Sequence, residues 1–216
     1  MDDVAVTLRS IADVGPETIA MTFEAPAGFS AAPGQFIQLS ARIDEDLVQR
    51  YFTLSSPGVG ETFEITVTID PEGALGPWLA DRQPGDTVTV SGPYGSAYYE
   101  DEERVVVLAD GPGIGPAIGI GELAMDRGAS VAIVRPAGSD VHGDRLEALA
   151  DGGAYVAEPT DGLDDATAEA VDRVGGQVFV YGFAPFVKSA VAAIEAAGAD
   201  PDGAKVESFG PGPDAD

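Results

Sequence analysis

Val105-Val106-Val107-Leu108-Ala109, followed at once by Asp110-Gly111-Pro112-Gly113-Ile114-Gly115-Pro116, divides the chain into two kinds of structure. A continuous apolar run is what a strand buried on both faces of a parallel sheet requires. The Gly/Pro turn behind it opens a helix over Pro116–Arg127, where proline is tolerated because first-turn amides need no intrahelical partner. Strand, glycine turn and helix in that order are the start of a wound α/β unit.

Downstream the alternation continues. Val131–Arg135, Ala154–Ala157, Val178–Tyr181 and Lys205–Phe209 read as strands, and Asp144–Ala150, Asp164–Val174 and Pro185–Ala197 as helices, giving a doubly wound parallel sheet. Upstream the period falls to two. Val4–Ile11, Thr18–Glu24, Gln35–Ala41, Arg50–Ser55, Phe63–Ile69 and Thr87–Ser91 read as strands, most of them separated by short turns carrying Gly, Pro or Asp, with a short helix at Leu75–Asp81. Six such strands predict an antiparallel barrel. The fold class is therefore β followed by α/β: a barrel over 1–100, a doubly wound domain over 101–210, and a mobile tail over 211–216. The boundary falls near Tyr98–Glu103, where Glu100-Asp101-Glu102-Glu103 is expected to sit exposed.

The 216 residues carry a formal charge of −26, from 37 acidic and 11 basic side chains, and only Lys188 and Lys205 are lysines. Such a surface repels itself strongly until salt screens it, the Debye length falling to about 3 Å at 1 M. The acidic residues are spread along the chain, so the pattern reads as a cytoplasmic protein of a salt-loving organism. It argues against nucleic acid, which needs a basic footprint, and against anionic membrane surfaces. No apolar run approaches the roughly 20 residues of a membrane span, and Met1-Asp2-Asp3 lacks the basic start of a signal peptide. With 44% hydrophobic residues the chain can bury a core. Cysteine is absent, which removes disulfides, thiolate nucleophiles and cysteine-ligated clusters.

Arg50-Tyr51-Phe52-Thr53 offers a guanidinium for a diphosphate, an aromatic ring two positions on, and a hydroxyl for a heterocycle edge. Read alone, the same residues also suit a core strand ending in Arg. Pro33-Gly34-Gln35-Phe36 precedes this segment. Gly73-Ala74-Leu75-Gly76, Pro84-Gly85-Asp86 and Gly92-Pro93-Tyr94-Gly95 follow it. Gly111–Pro116 places glycines and a helix start where a phosphate would be favoured, although in isolation it is equally a Gly/Pro turn. His142, the sole histidine, reads as a solvated loop residue, and no residues have metal-ligand or triad spacing.

Taken together, these segments resemble the ferredoxin–NADP⁺ reductase superfamily over residues 4–210, as a haloarchaeal-type acidic member. The resemblance implies a flavin-binding barrel and a nicotinamide-nucleotide-binding domain. The activity it implies is that of a flavin-dependent NAD(P)H oxidoreductase passing electrons to a separate acceptor such as a ferredoxin. The cofactors are FAD, with FMN as the alternative, and NADH or NADPH, with a lean towards NADH.

The family's flavin motif maps onto Arg50, Tyr51, Phe52 and Thr53, with Phe52 replacing the usual Tyr. The resemblance adds backbone contacts at Val67, Thr68 and Ile69 and a phosphate turn at Gly73, Ala74, Leu75 and Gly76. Gly76 takes the place of a Ser or Thr, and Pro77 removes an amide. Gly111, Pro112, Gly113, Ile114, Gly115 and Pro116 match the nucleotide loop, where Asp110 and Pro112 both weaken phosphate binding. Arg135, at the end of the second α/β strand, is the candidate for a 2′-phosphate. Tyr181, Gly182 and Phe183 stand where the family has Cys-Gly-Pro, and Glu207 with Phe209 resembles its terminal acidic–aromatic pair. Thr53, Tyr181, Glu207 and Phe209 are the candidate catalytic residues. The departures at Asp110, Pro112, Tyr181 and Phe183 motivate an alternative: a flavin-binding or docking subunit whose nucleotide site has lapsed.

Overall fold

The computed structural model describes residues 1–138 and 140–212. Its first half is a six-stranded antiparallel sheet of β1 (Val4–Gly15), β2 (Thr18–Glu24), β3 (Phe36–Ile43), β4 (Asp46–Thr53), β5 (Thr62–Thr68) and β6 (Thr87–Tyr94), in the order β4-β3-β6-β1-β2-β5. An antiparallel bridge from Leu54 to Ile65 joins the two edges, and the Ser55 amide donates to the Glu64 carbonyl at 2.9 Å, closing the sheet into a barrel. The two-residue period fills its interior: Val6 and Leu8, Ile37 and Leu39, Phe63 and Ile65, and Val88 and Val90 are all buried. Each such side chain contributes roughly 1.5–3 kcal/mol on leaving water. Helix α1 (Leu75–Ala80) plugs the barrel with Leu75 and Leu79.

The second half is a parallel sheet of β7 (Arg104–Ala109), β8 (Ser130–Val134), β9 (Tyr155–Ala157), β10 (Gln177–Gly182) and β11 (Lys205–Ser208), ordered β11-β10-β7-β8-β9. Strand β7 is covered on both sides, as its apolar run requires. Val105, Val107 and Ala109 face one core with α2 (Ile114–Asp126) and α3 (Gly143–Asp151). Val106 and Leu108 face another with α4 (Asp164–Arg173) and α5 (Ala184–Ala196). The winding direction reverses between β7 and β10, so their carboxyl ends form the crevice where such sheets hold ligands.

Most element ends fall within a few residues of the sequence expectation. Helix α2 starts two residues before Pro116, behind a 3₁₀ turn at Gly111–Gly113, because Gly113 already has helical dihedrals (φ −66°, ψ −18°). Residues 213–216, most of the expected tail, lie outside the described residues. Ala97 and Tyr99, ahead of the acidic Glu100–Glu103 stretch, pack into the α/β core. That stretch is tethered, with Glu100 and Glu102 both paired to Lys205 of β11 at 2.8 and 2.6 Å.

Candidate functional site

Two adjoining clefts open where β4 meets the crevice of the parallel sheet. One, of about 480 Å³, is lined by Phe36, Arg50, Tyr51, Thr53, Tyr94, Glu207, Ser208 and Phe209. The other, of about 380 Å³, runs from Arg50–Thr53 past Thr66–Thr68 to Asp70 and Gly73–Gly76, with Pro112, Phe183 and Phe209 across from them. Arg50, Tyr51, Thr53 and Phe209 line both. The barrel thus supplies one wall and the carboxyl ends of the parallel strands supply the other.

The chemistry of these walls suits a planar ring bearing a diphosphate. Arg50 is exposed, its Nη1 donates to the Gln49 carbonyl at 2.8 Å, and no carboxylate neutralises it among the described residues. In a chain of charge −26 this leaves a fixed cation facing a cleft. Thr53 follows on the same wall. Of the two rings in the segment, Tyr51 is the more open, 62% exposed, while Phe52 also packs on the barrel core. Tyr51 meets Phe36 edge-on at 5.5 Å, and Phe36 lies 5.9 Å from Tyr94. Phe209 meets Phe183 edge-on at 6.1 Å. Glu207, half-buried at the rim, has its pKa raised by desolvation.

The nucleotide loop departs from expectation. The Gly111 amide donates to Asp110 Oδ1 at 2.8 Å, and the Gly113 amide to the Asp110 carbonyl at 2.9 Å. The Ile114 amide turns back to the carbonyls of Gly111 and Pro112, and Pro112 has no amide to give. An incoming diphosphate would have to displace the Asp110 carboxylate.

Only Pro112 of the loop lines a cleft, while Gly113, Ile114, Gly115 and Pro116 are buried in packing. A Cβ on Gly113 would fall 2.2 Å from the Tyr181 carbonyl oxygen. One on Gly115 would lie 2.8 Å from Thr66 Oγ1, and one on Gly119 2.8 Å from the Ser56 carbonyl oxygen. Gly113, Ile114, Gly115 and Pro116, expected as cofactor contacts, line neither cleft. Gly113 serves a close turn, and Gly115, with Gly119 one turn on, forms a face on which α2 approaches the barrel.

Tyr181, expected beside the cofactor, is packed away from both clefts. It is fully buried, stacked on Phe179 at 6.4 Å, with its hydroxyl donating to the Ala97 carbonyl at 2.5 Å. Burial raises its pKa well above the ordinary value, with Glu207 and Glu102 adding to the effect. It fills the joint beneath the clefts and lines neither. Arg135 is 4% exposed, and its Nε and Nη2 hold Glu158 at 3.0 and 2.6 Å, so it is not presented to a 2′-phosphate. Gly182 is buried against Phe186 and accepts from the Phe209 amide at 2.9 Å. The Ile69 side chain turns to the barrel core instead of a cleft.

His142 reverses the solvated-loop reading. It is 4% exposed, its Nε2 lies 2.8 Å from Thr66 Oγ1, and burial, followed by the charge of Arg145, lowers its pKa to about 4. Arg145 beside it bridges Glu64 of the barrel and Glu122 of α2 at 2.8 and 2.7 Å and donates to the Ser55 carbonyl at 3.1 Å. Burial opposes its charge, yet the two carboxylates keep its pKa above the usual value. Sequence reasoning missed Phe36, Thr66, Asp70, Tyr94 and Ser208 as lining residues. Phe36 and Tyr94 belong to segments singled out from their Gly/Pro pattern, and they pair across β3 and β6. Thr66 carries no signal beyond its place in a strand.

Barrel and parallel sheet together give a two-domain fold like that of ferredoxin–NADP reductases. Residues 5–99 match the oxidoreductase FAD-binding domain family, so the barrel half carries a flavin-family signature of its own. The chain is 27% identical to the glycine betaine monooxygenase reductase subunit of Chromohalobacter salexigens, over 91% of this chain and 61% of that one. It therefore spans less than two thirds of that relative. Among solved structures, the flavohem-like FAD/NAD-binding domain of nitric oxide dioxygenase from Vibrio cholerae superposes with a TM-score of 0.80 at 20% identity, covering 98% of this chain and all of that one. A ferredoxin–NADP⁺ reductase of Neisseria gonorrhoeae, with FAD and NADP bound, gives 0.78 at 16% identity, covering 97% and 99%. Among the described residues no helix is long and apolar enough to cross a membrane.

Proposed function

We propose that the chain is the flavin- and nucleotide-binding module of an NAD(P)H-dependent reductase, holding FAD in the joined clefts and delivering electrons to a separate acceptor. The observation that carries this reading is the Arg50 guanidinium beside Thr53, without a carboxylate partner among the described residues, on a wall shared by both clefts within the region of the FAD-binding domain match. FAD supplies the redox chemistry when bound, accepting a hydride and releasing electrons. The chain's residues bind and orient it: Arg50 takes the diphosphate, Thr53 the ring edge, and Tyr51 or Phe209 a ring face. Gly73–Gly76 lines the far end of one cleft, and Glu207 offers a carboxyl group to the other. The likeness to a glycine betaine monooxygenase reductase subunit and to a ferredoxin–NADP⁺ reductase supports an oxygenase component or a ferredoxin-like protein as the class of acceptor. The dispersed acidic surface suits work in concentrated salt, where two acidic partners approach because their repulsion is screened.

The occupied amides of the Asp110–Ile114 turn favour a second reading, a flavin-holding subunit that receives electrons without binding a nucleotide. Anaerobic addition of NADH, then NADPH, to the FAD-loaded protein in high salt separates the two. Bleaching of the flavin supports the reductase, and a flavin left oxidised by both nucleotides removes that assignment in favour of the second reading.

A further inference from the structure

Thr66 stands at a three-way junction. It lines the cleft that runs from Arg50 to Gly76. It packs against the start of α2, where only a glycine at 115 leaves it space. Its hydroxyl lies 2.8 Å from Nε2 of His142, which belongs to the other domain.

His142 is itself tightly held. It adopts a left-handed conformation (φ 53°, ψ 34°) at the start of α3, and its amide donates to the Val14 carbonyl of β1 at 2.6 Å. Val141 before it presses on Gly15, where a Cβ would fall 2.9 Å from the Val141 Cα. The imidazole is neutral at ordinary pH, since burial and the nearby Arg145 both oppose its protonation. A neutral imidazole has one donor and one acceptor nitrogen, and a threonine hydroxyl rotates to match either.

We propose that His142 is a positioning residue that reaches across the domain joint and holds the Thr66 hydroxyl out of the flavin cleft. The inference rests on the cleft being the flavin site. Without the imidazole the Thr66 hydroxyl is buried and unpaired, a costly state. On the α2 side Gly115 already lies close against it. The nearest relief is the cleft, so the hydroxyl turns into space the flavin would fill.

The test is a cycle of FAD titrations on the full chain in high salt, read by flavin fluorescence. His142→Ala is expected to weaken FAD binding about five- to ten-fold, the scale of one lost buried hydrogen bond. Thr66→Val, which has the same shape and no hydroxyl to turn, is the background in which His142→Ala is measured again, and there the His142 change is expected to move the affinity by no more than about two-fold. The two changes act through one contact. An unchanged affinity in His142→Ala, or the same loss repeated in the Thr66→Val background, overturns the proposal and shows a purely structural role. Should His142→Ala not fold, His142→Gln, which keeps an amide at similar reach, is expected to bind FAD within about two-fold of the parent. A five-fold loss there overturns the proposal as well. If the parent itself fails to bind FAD, the flavin reading falls and takes this inference with it, an outcome distinct from a change confined to the variants.

Discussion

Helix α2 lies against the barrel through Gly115 and Gly119, and replacing Gly119 by Ala tests how rigid that joint is. The added Cβ would sit 2.8 Å from the Ser56 carbonyl oxygen and 3.1 Å from that of Ser55. Both are backbone atoms, so the helix must withdraw by several tenths of an ångström. That strains the Gly115 contact with Thr66 and the Arg145 bond to the Ser55 carbonyl. Overpacking of this kind costs about 1–3 kcal/mol, and a contact made with backbone belongs at the upper end.

The intrinsic gain of Ala over Gly in a helix offsets about 1 kcal/mol, leaving a net loss of about 2 kcal/mol. Gly121 provides the internal control. It lies in the same helix with the same propensity gain, but a Cβ there meets only the methyl ends of Leu149 and Ile133, at 3.2 and 3.3 Å. Gly121→Ala is expected to be neutral or stabilising by up to about 1 kcal/mol. At roughly 2–4 °C per kcal/mol for a chain of this size, the two variants should differ in Tm by about 4–12 °C, followed by circular dichroism in one buffer. Equal Tm values, or a lower one for Gly121→Ala, would refute the account of α2 as a helix seated on the barrel by its glycines.

Asp110→Gly frees the Gly111 amide and removes a negative charge from the loop. It should lower the KM for a nicotinamide nucleotide about ten-fold, the scale of one charge-assisted hydrogen bond, and an unchanged KM would place the diphosphate elsewhere. Tyr181→Phe leaves the Ala97 carbonyl without its donor, and chemical denaturation should show a loss of about 1–3 kcal/mol while FAD affinity stays constant. A selective loss of FAD binding would return Tyr181 to the site. His142 ties stability to pH with a definite sign. Its folded pKa of about 4 lies below the ordinary 6.5, so the unfolded chain binds the proton first as pH falls. The stability it contributes is present above about pH 6.5 and is lost towards pH 4, by at most about 3 kcal/mol. The groups facing it are Thr66, Arg145 and the Val14 carbonyl. The difference between the parent and His142→Gln, in denaturation from pH 7 to pH 4.5, should shrink with falling pH, and a constant difference would contradict that sign.

The architecture was legible because its periods are clean. Val105–Ala109 has no polar residue, and the strands before it alternate strongly enough to fix which side chains fill the barrel. The Arg50–Thr53 segment stood out only together with its Gly/Pro neighbours, since alone it also suits a core strand ending in Arg. The glycines of Gly113–Gly119 were harder to read. A glycine that admits a phosphate and one that admits a neighbouring strand look alike until the neighbour is placed, and here the neighbours are Tyr181, Ser55, Ser56 and Thr66. His142 misled for a related reason. Its polar, Gly-flanked surroundings suit a solvated loop, and only the contact with Thr66, 76 positions away, buries it. Arg135 looked free because Glu158, which it holds, lies 23 positions away, just past β9.

The central claim is that Arg50 and the joined clefts hold FAD. Titrating FAD into the parent chain and into Arg50→Ala, in the same concentrated salt and by the same flavin fluorescence, tests it most directly. Saturable binding by the parent is expected, with an affinity about ten- to one-hundred-fold lower in the variant, which loses charge-assisted bonds to a diphosphate. Equal affinities, or no binding by the parent, would contradict it.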